Sequence, residues 1–114
     1  MTLVPADVLA ARDRLRDAVL RTPCVASPAL SALTGVEVHL KLEYLQRTGS
    51  FKERGACNAL LVLDEATRRR GVIAASAGNH ALALAYHGKR LGIPVTVVMP
   101  VHAPLIKQAR CRSM

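Results

Sequence analysis

At 114 residues with 51% hydrophobic content, the chain is large enough for one small domain with a buried core, which excludes both disorder and two ordinary domains. Aromatic residues make up 3% and tryptophan is absent, so Ala, Leu, Val and Ile must build the core; that favours helices and doubly buried parallel strands over an all-β sandwich. The formal charge of +8 raises nucleic acid or an acidic membrane as partners, but the only basic run, Arg68-Arg69-Arg70, precedes Gly71 where a helix end would favour cations, with no interleaved aromatics, so neither partner is expected.

The first residues, M-T-L-V-P-A-D-V, lack the charged and apolar regions of a signal peptide, and no apolar stretch approaches the roughly 20 residues of a membrane span. Cys24, Cys57 and Cys111 form no CxxC pair, which predicts free thiols, no structural zinc and a cytoplasmic location. Apolar residues at Val8, Leu9, Leu15, Val19 and Leu20 predict an amphipathic helix over 6–20, ended by Arg21-Thr22-Pro23. Ser27 as N-cap, Pro28 in the first turn and Gly35 past the end predict a short helix over 27–33. Residues 36–43, V-E-V-H-L-K-L-E, alternate strictly and predict a strand with one wetter face, with His39 a face residue.

After a polar loop over 46–49, Ser50 and Glu53 have the spacing of a capping box, opening a helix that runs to about residue 63. Asp64 is placed to cap a short second helix. Residues 71–76, G-V-I-A-A-S, predict a buried strand, 77–79 a turn, and 80–91 a helix closed by Gly92. A second buried strand is predicted over 94–99 and a last helix over 103–112. This β-turn-α-β-turn-α order predicts an α/β fold with parallel strands, right-handed crossovers and helices packed on the sheet. Because nothing follows the last helix to pack against it, the sheet is expected to be incomplete.

Two short segments carry the chemistry. S-A-G-N-H, residues 76–80, lies at the C-terminal edge of a buried strand, where sites in open α/β sheets gather. Gly78 lets a ligand approach the backbone, the N–H groups of a helix start favour an anion such as a carboxylate, and Asn79 and Ser76 add hydrogen-bonding groups. Taken alone, the segment also reads as a plain β-α turn, for which these residues are usual. S-F-K-E-R-G-A, residues 50–56, places Lys52 in a first helical turn, where the helix dipole disfavours an ammonium; a lowered pKa would free its amine as a nucleophile. Alone, Lys52 reads first as an exposed surface lysine. Dinucleotide, P-loop, zinc-protease and hydrolase motifs are absent, and the histidines lack metal-ligand spacing, so no metal is expected; His80 and His87, seven apart, fall roughly on one helix face.

Together the two segments, followed by L-G-I-P-V-T-V-V-M-P and A-P-x-x-K and preceded by T-P at Thr22 and K-L-E at residues 41–43, resemble one family: the threonine/serine dehydratases of the tryptophan-synthase-β fold type, which use pyridoxal phosphate. The resemblance implies an incomplete three-layer parallel sheet with helices on both faces, part of a fold-type-II enzyme. Residues 1–45 would be an N-terminal flank of a larger, mostly missing domain, and 46–114 part of a small α/β domain. Lys52 would be the Schiff-base lysine and general base, Phe51 would pack against the pyridine ring, and Asn79 would bond its ring hydroxyl. Ser76, Gly78, Asn79 and His80 would bind the substrate carboxylate. The implied activity is a lyase of amino-acid catabolism deaminating L-threonine or L-serine to a 2-oxo acid and ammonia, in a protein that is a homo-oligomer at full length.

The serine racemases of this group carry a second serine immediately before the loop glycine; Ala77 stands there, which cannot exchange a proton and so favours elimination over racemisation. The family's glycine-rich phosphate loop and its residue facing the pyridine nitrogen have no counterpart among these 114 residues. The chain is therefore expected to be an N-terminal fragment, inactive alone. The alternatives are a truncated, non-catalytic form that pairs with a full-length partner, and a racemase-like enzyme.

Overall fold

The computed structural model of the chain describes residues 2–114. Helix α1 (Pro5–Leu15) leads to strand β1 (Cys24–Ala26), helix α2 (Pro28–Thr34), strand β2 (His39–Lys41) and a single 3-10 turn (Glu43–Leu45). Helices α3 (Lys52–Leu61) and α4 (Glu65–Arg70) follow, then β3 (Val72–Ala75), α5 (Asn79–Leu91), β4 (Val95–Val98) and α6 (Leu105–Ser113).

Strands β3 and β4 pair in parallel, as their alternation with α5 predicts, from Val72 opposite Val95 to Ala75 opposite Val98. Side chains alternate across this ribbon. Val72, Ala74 and Val95 turn toward the core made by Ala83 and Leu84 of α5, Ala56 and Leu60 of α3, and Ile93. Ile73 and Val98, on the opposite face, are 73% and 54% exposed, so α5 covers one face among the described residues. Gly88 is what permits α5 to pack closely here: a Cβ at this position would lie 2.2 Å from Val95 Cγ2. No helix of the described residues is long and apolar enough to cross a membrane.

The entry into β3 depends on Gly71. Its φ is +83°, and a Cβ there would sit 2.5 Å from Pro94 O, the carbonyl that accepts the Val72 N–H at 2.9 Å. Gly71→Ala is therefore expected to destabilise the fold by about 3 kcal/mol, combining left-handed strain with a backbone clash. Gly92→Ala, at φ +67° with nothing within 4 Å, is expected to cost only about 1 kcal/mol. Equal losses for the two variants in urea denaturation would contradict this account.

Local rules hold at several ends. Asp64 caps α4 by accepting the Thr67 N–H at 2.7 Å, and Gly35 and Gly92 close α2 and α5 in the left-handed region. The basic run is absorbed by its surroundings: Arg68 donates to Leu61 O and Leu63 O at the end of α3, Arg69 pairs with Glu65, and Arg70 with Thr67.

The N-terminal third departs from the periodic pattern. Helix α1 stops at Leu15; Leu15, Ala18 and Val19 pack against Cys57, whereas Val8 and Leu9 stay exposed. The chain beyond α1 is held by Arg90, whose guanidinium donates to Ala18 O at 2.6 Å. The expected strand over 36–43 is reduced to His39–Lys41 and pairs antiparallel with β1, an element with no alternation to announce it. Its first residues are drawn to α2 instead: Val38 donates to Ser31 Oγ at 2.9 Å and accepts from the Ser27 N–H at 2.8 Å. All six residues of this ribbon are exposed, His39 included.

Candidate functional site

The turn before α3 positions Lys52. Gly49 adopts φ +80°, and its N–H donates to Gln46 O at 2.8 Å, folding the chain back so that a helix starts directly after Phe51. The capping box expected at Ser50 does not form. Phe51 occupies the cap position in helical geometry, Ser50 Oγ has no partner among the described residues, and Glu53 bypasses Ser50 to accept the Thr48 N–H at 2.7 Å. The tight turn brings the Thr48 N–H inward, and the carboxylate follows it into the interior. Glu53 is consequently fully buried. Lys52, one residue earlier, points outward, its Nζ 4.9 Å from the centroid of the Phe51 ring, which is itself 61% exposed.

The second segment leaves the C-terminal edge of β3. Ser76 N–H donates to Val98 O at 3.0 Å, ending the ladder, and Ser76 Oγ accepts the Gly78 N–H at 3.2 Å. Helix α5 begins one residue earlier than its sequence pattern suggests, with Gly78 as cap and Asn79 as first helical residue. The first helical bond runs from Leu82 N to Gly78 O, so the N–H groups of Asn79 and His80 have no acceptor within the helix. Gly78 has φ −132°, which any residue tolerates, and a Cβ there would meet nothing within 4 Å. The chain's own packing therefore does not demand glycine at this position. Open space beside exposed Asn79 and His80 is a shape that a bound molecule would use.

Helices α3 and α5 pack along each other, which sets the two segments on adjoining elements. Among the described residues, no hydrogen bond or ion pair joins Lys52 or Phe51 to residues 76–80. Where the two helices meet, Glu53 Oε1 lies 3.7 Å from His87 Nε2, both side chains fully buried. His80 and His87 thus have opposite environments despite their seven-residue spacing, one at the exposed helix start and one in the core. Burial pushes the Cys57 thiol up, leaving it an inert core group beneath α3.

A polar clamp missed by sequence reasoning braces α3 from the other side. Arg54 donates Nε to Glu43 Oε2 at 2.8 Å and Nη2 to Glu43 Oε1 at 2.7 Å, a forked arrangement. Thr22 Oγ1 also donates to Glu43, and Gln46 bonds Glu43 and both backbone groups of Leu20. The Arg54 bonds, with help from Thr22 and Gln46, hold the Glu43 carboxyl down at about 2 against the opposing effect of burial. The residues lie in T-P, K-L-E and K-E-R-G, but nothing in the spacing of these segments shows that the three meet.

Pyridoxal phosphate can be tested against this geometry. An exposed primary amine, an exposed aromatic ring beside it, an outward amide at Asn79 and unfilled space at Gly78 are a donor set that fits such a group.

Comparison with known proteins supplies an independent line. The sequence model for pyridoxal-phosphate dependent enzymes matches residues 15–114. The L-threonine ammonia-lyase of Thermotoga maritima is 49% identical over 108 residues, covering 95% of this chain and 27% of that protein. The L-threo-3-hydroxyaspartate ammonia-lyase of a Pseudomonas species is 51% identical over 107 residues, covering 94% of this chain and 34% of that protein. The crystal structure of serine racemase from Dictyostelium discoideum superposes with a TM-score of 0.91 at 38% identity, covering 99% of this chain and 37% of that one. The chain thus spans between 27% and 37% of the length of these relatives.

Proposed function

The chain belongs to the family of pyridoxal-phosphate dependent enzymes, and we propose that it carries the lysine and the substrate-carboxylate loop of an ammonia-lyase acting on L-threonine or L-serine. The observation that carries this reading is the exposed Lys52 amine at the start of α3, set on a helix that packs along α5 with its open Gly78-Asn79 start. The relatives named for threonine and hydroxyaspartate ammonia-lyase activity support the reaction class.

In this reading Lys52 would hold the cofactor through Nζ, Phe51 would line its ring, and Asn79 would donate to its ring hydroxyl. Bound pyridoxal phosphate supplies a sink for the electron pair left at the substrate Cα. Once its Nζ has been displaced by the substrate amine, Lys52 would take the α-proton. Ser76, Gly78, Asn79 and His80 receive the substrate carboxylate at the α5 start, where open N–H groups and the helix dipole favour an anion. Loss of the β-hydroxyl as water, then hydrolysis of the released enamine, yields the 2-oxo acid and ammonia. Ala77 offers no second base, which favours elimination over racemisation. Residues 1–45 serve as the flank of a larger domain and 46–114 as part of the smaller one.

The full-length protein with pyridoxal phosphate is expected to release ammonia from L-threonine at least about tenfold faster than it interconverts the serine enantiomers. The 114 residues by themselves, which contain no glycine-rich phosphate cradle, are expected to release none measurable. A coupled 2-oxo-acid assay and chiral chromatography read both reactions; faster racemisation than deamination overturns the lyase reading.

A further inference from the structure

We propose that Glu53 and His87 form a buried positioning pair that fixes where Lys52 leaves α3. The inference rests on the reading of Lys52 given above. A fully buried glutamate is rare unless it is paired, and the helix-start pattern would have kept Glu53 at the surface. Instead one carboxylate oxygen accepts the Thr48 N–H at 2.7 Å and the other faces His87 Nε2 at 3.7 Å, with Arg47 Nη1 at 3.9 Å. Glu53 Oε1 and both His87 ring nitrogens have no hydrogen-bond partner among the described residues. Unsatisfied buried polar atoms are costly, and two of them, Glu53 Oε1 and His87 Nε2, face each other 3.7 Å apart.

Burial keeps His87 toward its neutral form, and Arg90 and Arg47 act in the same direction against Glu53. Neutral His87 with its proton on Nε2 is a donor, and closing the gap by about 0.5–1 Å makes Glu53 Oε1 its acceptor. One carboxylate then ties three things together: the turn before Phe51 through Thr48, the first turn of α3, and the middle of α5. Lys52 is the residue directly before Glu53, and Asn79 opens the helix that carries His87. A shift of the pair therefore changes the placement of Lys52 relative to the 76–80 loop, and a misplacement near 1 Å can cost about a hundredfold in rate.

The test compares His87→Leu, which keeps volume without a donor, with His87→Gln, which keeps an N–H in place of Nε2. In the full-length protein two rates are read: covalent capture of pyridoxal phosphate at Lys52, as cofactor mass on the Lys52 peptide after borohydride, and amide hydrogen exchange at Thr48. His87→Leu is expected to slow capture and to speed Thr48 exchange, each about tenfold, while His87→Gln stays within about twofold of the parent. If the two variants behave alike, or Thr48 exchange does not respond, the pair does not position Lys52 and the proposal is overturned. Should the parent capture no cofactor at Lys52 while Thr48 exchange responds as expected, the pair stands as the pin of this turn and the reading of Lys52 fails instead. If His87→Leu does not fold, Glu53→Gln takes its place, with capture slowed about threefold or more expected and unchanged capture overturning the proposal.

Discussion

Replacing Lys52 with alanine is expected to abolish covalent capture of pyridoxal phosphate and to lower ammonia release about a thousandfold or more. The size follows from losing two roles at once, the covalent anchor and the base for the α-proton. Folding is not the cause of such a loss. Lys52 is exposed, with its Nζ over the ring of Phe51, so its truncation is expected to change stability by less than about 0.5 kcal/mol. Lys52→Arg sharpens the comparison: it keeps the cation over the ring but supplies no nucleophilic amine, and is expected to be as inactive as the alanine variant. Peptide mass after borohydride and a 2-oxo-acid assay read the two effects separately. A Lys52→Ala protein with more than a tenth of parental activity would remove Lys52 from the chemistry altogether.

The second large effect belongs to the Glu43–Arg54 clamp and concerns stability. Glu43→Gln is expected to cost about 2 kcal/mol at neutral pH. With the carboxyl held at about 2 instead of 4.5, the full depression is worth at most about 3 kcal/mol. The Arg54 side chain is 34% exposed, and solvent screening brings the figure down. The sign is set by the direction of the depression. The folded carboxyl ionises more readily than the unfolded one, so its contribution is complete above about pH 4.5 and is lost as pH falls through about 2. Parent and Glu43→Gln should therefore differ most at pH 7 and converge toward pH 2 in chemical denaturation. A difference that stays constant across that window would show that the clamp acts through shape rather than charge.

The clamp and the buried pair bear on the same segment from opposite sides. Glu43, itself held by Thr22 and Gln46, binds Arg54, two residues after Lys52, while His87 faces Glu53, one residue after it. Consecutive helix residues point in different directions, so the three carry separate duties: Lys52 toward solvent, Glu53 into the core, Arg54 toward the N-terminal flank. The short motif K-E-R-G thus packs the lysine proposed to react and the two residues proposed to support it into one turn.

What the sequence determined by itself is what depends on neighbours along the chain. The β3-α5-β4 unit, the Asp64 cap, the glycines after α2 and α5, and the two segments holding Lys52 and Ser76–His80 rest on periodicity, turn chemistry and local hydrogen bonds, which operate over a few residues. What only the tertiary structure decided depends on partners far away. Strand β1 exists because His39–Lys41 arrives beside it, not because C-V-A favours a strand. Glu43 finds Arg54 and Thr22 only after the flank folds against α3. Glu53 fits a capping box on paper, yet the Gly49 turn presents a nearer donor and α5 covers it, turning a surface carboxylate into a buried one. Local rules rank conformations of a short segment, whereas burial and charge pairing are settled by which segments meet, and that is a property of the whole fold.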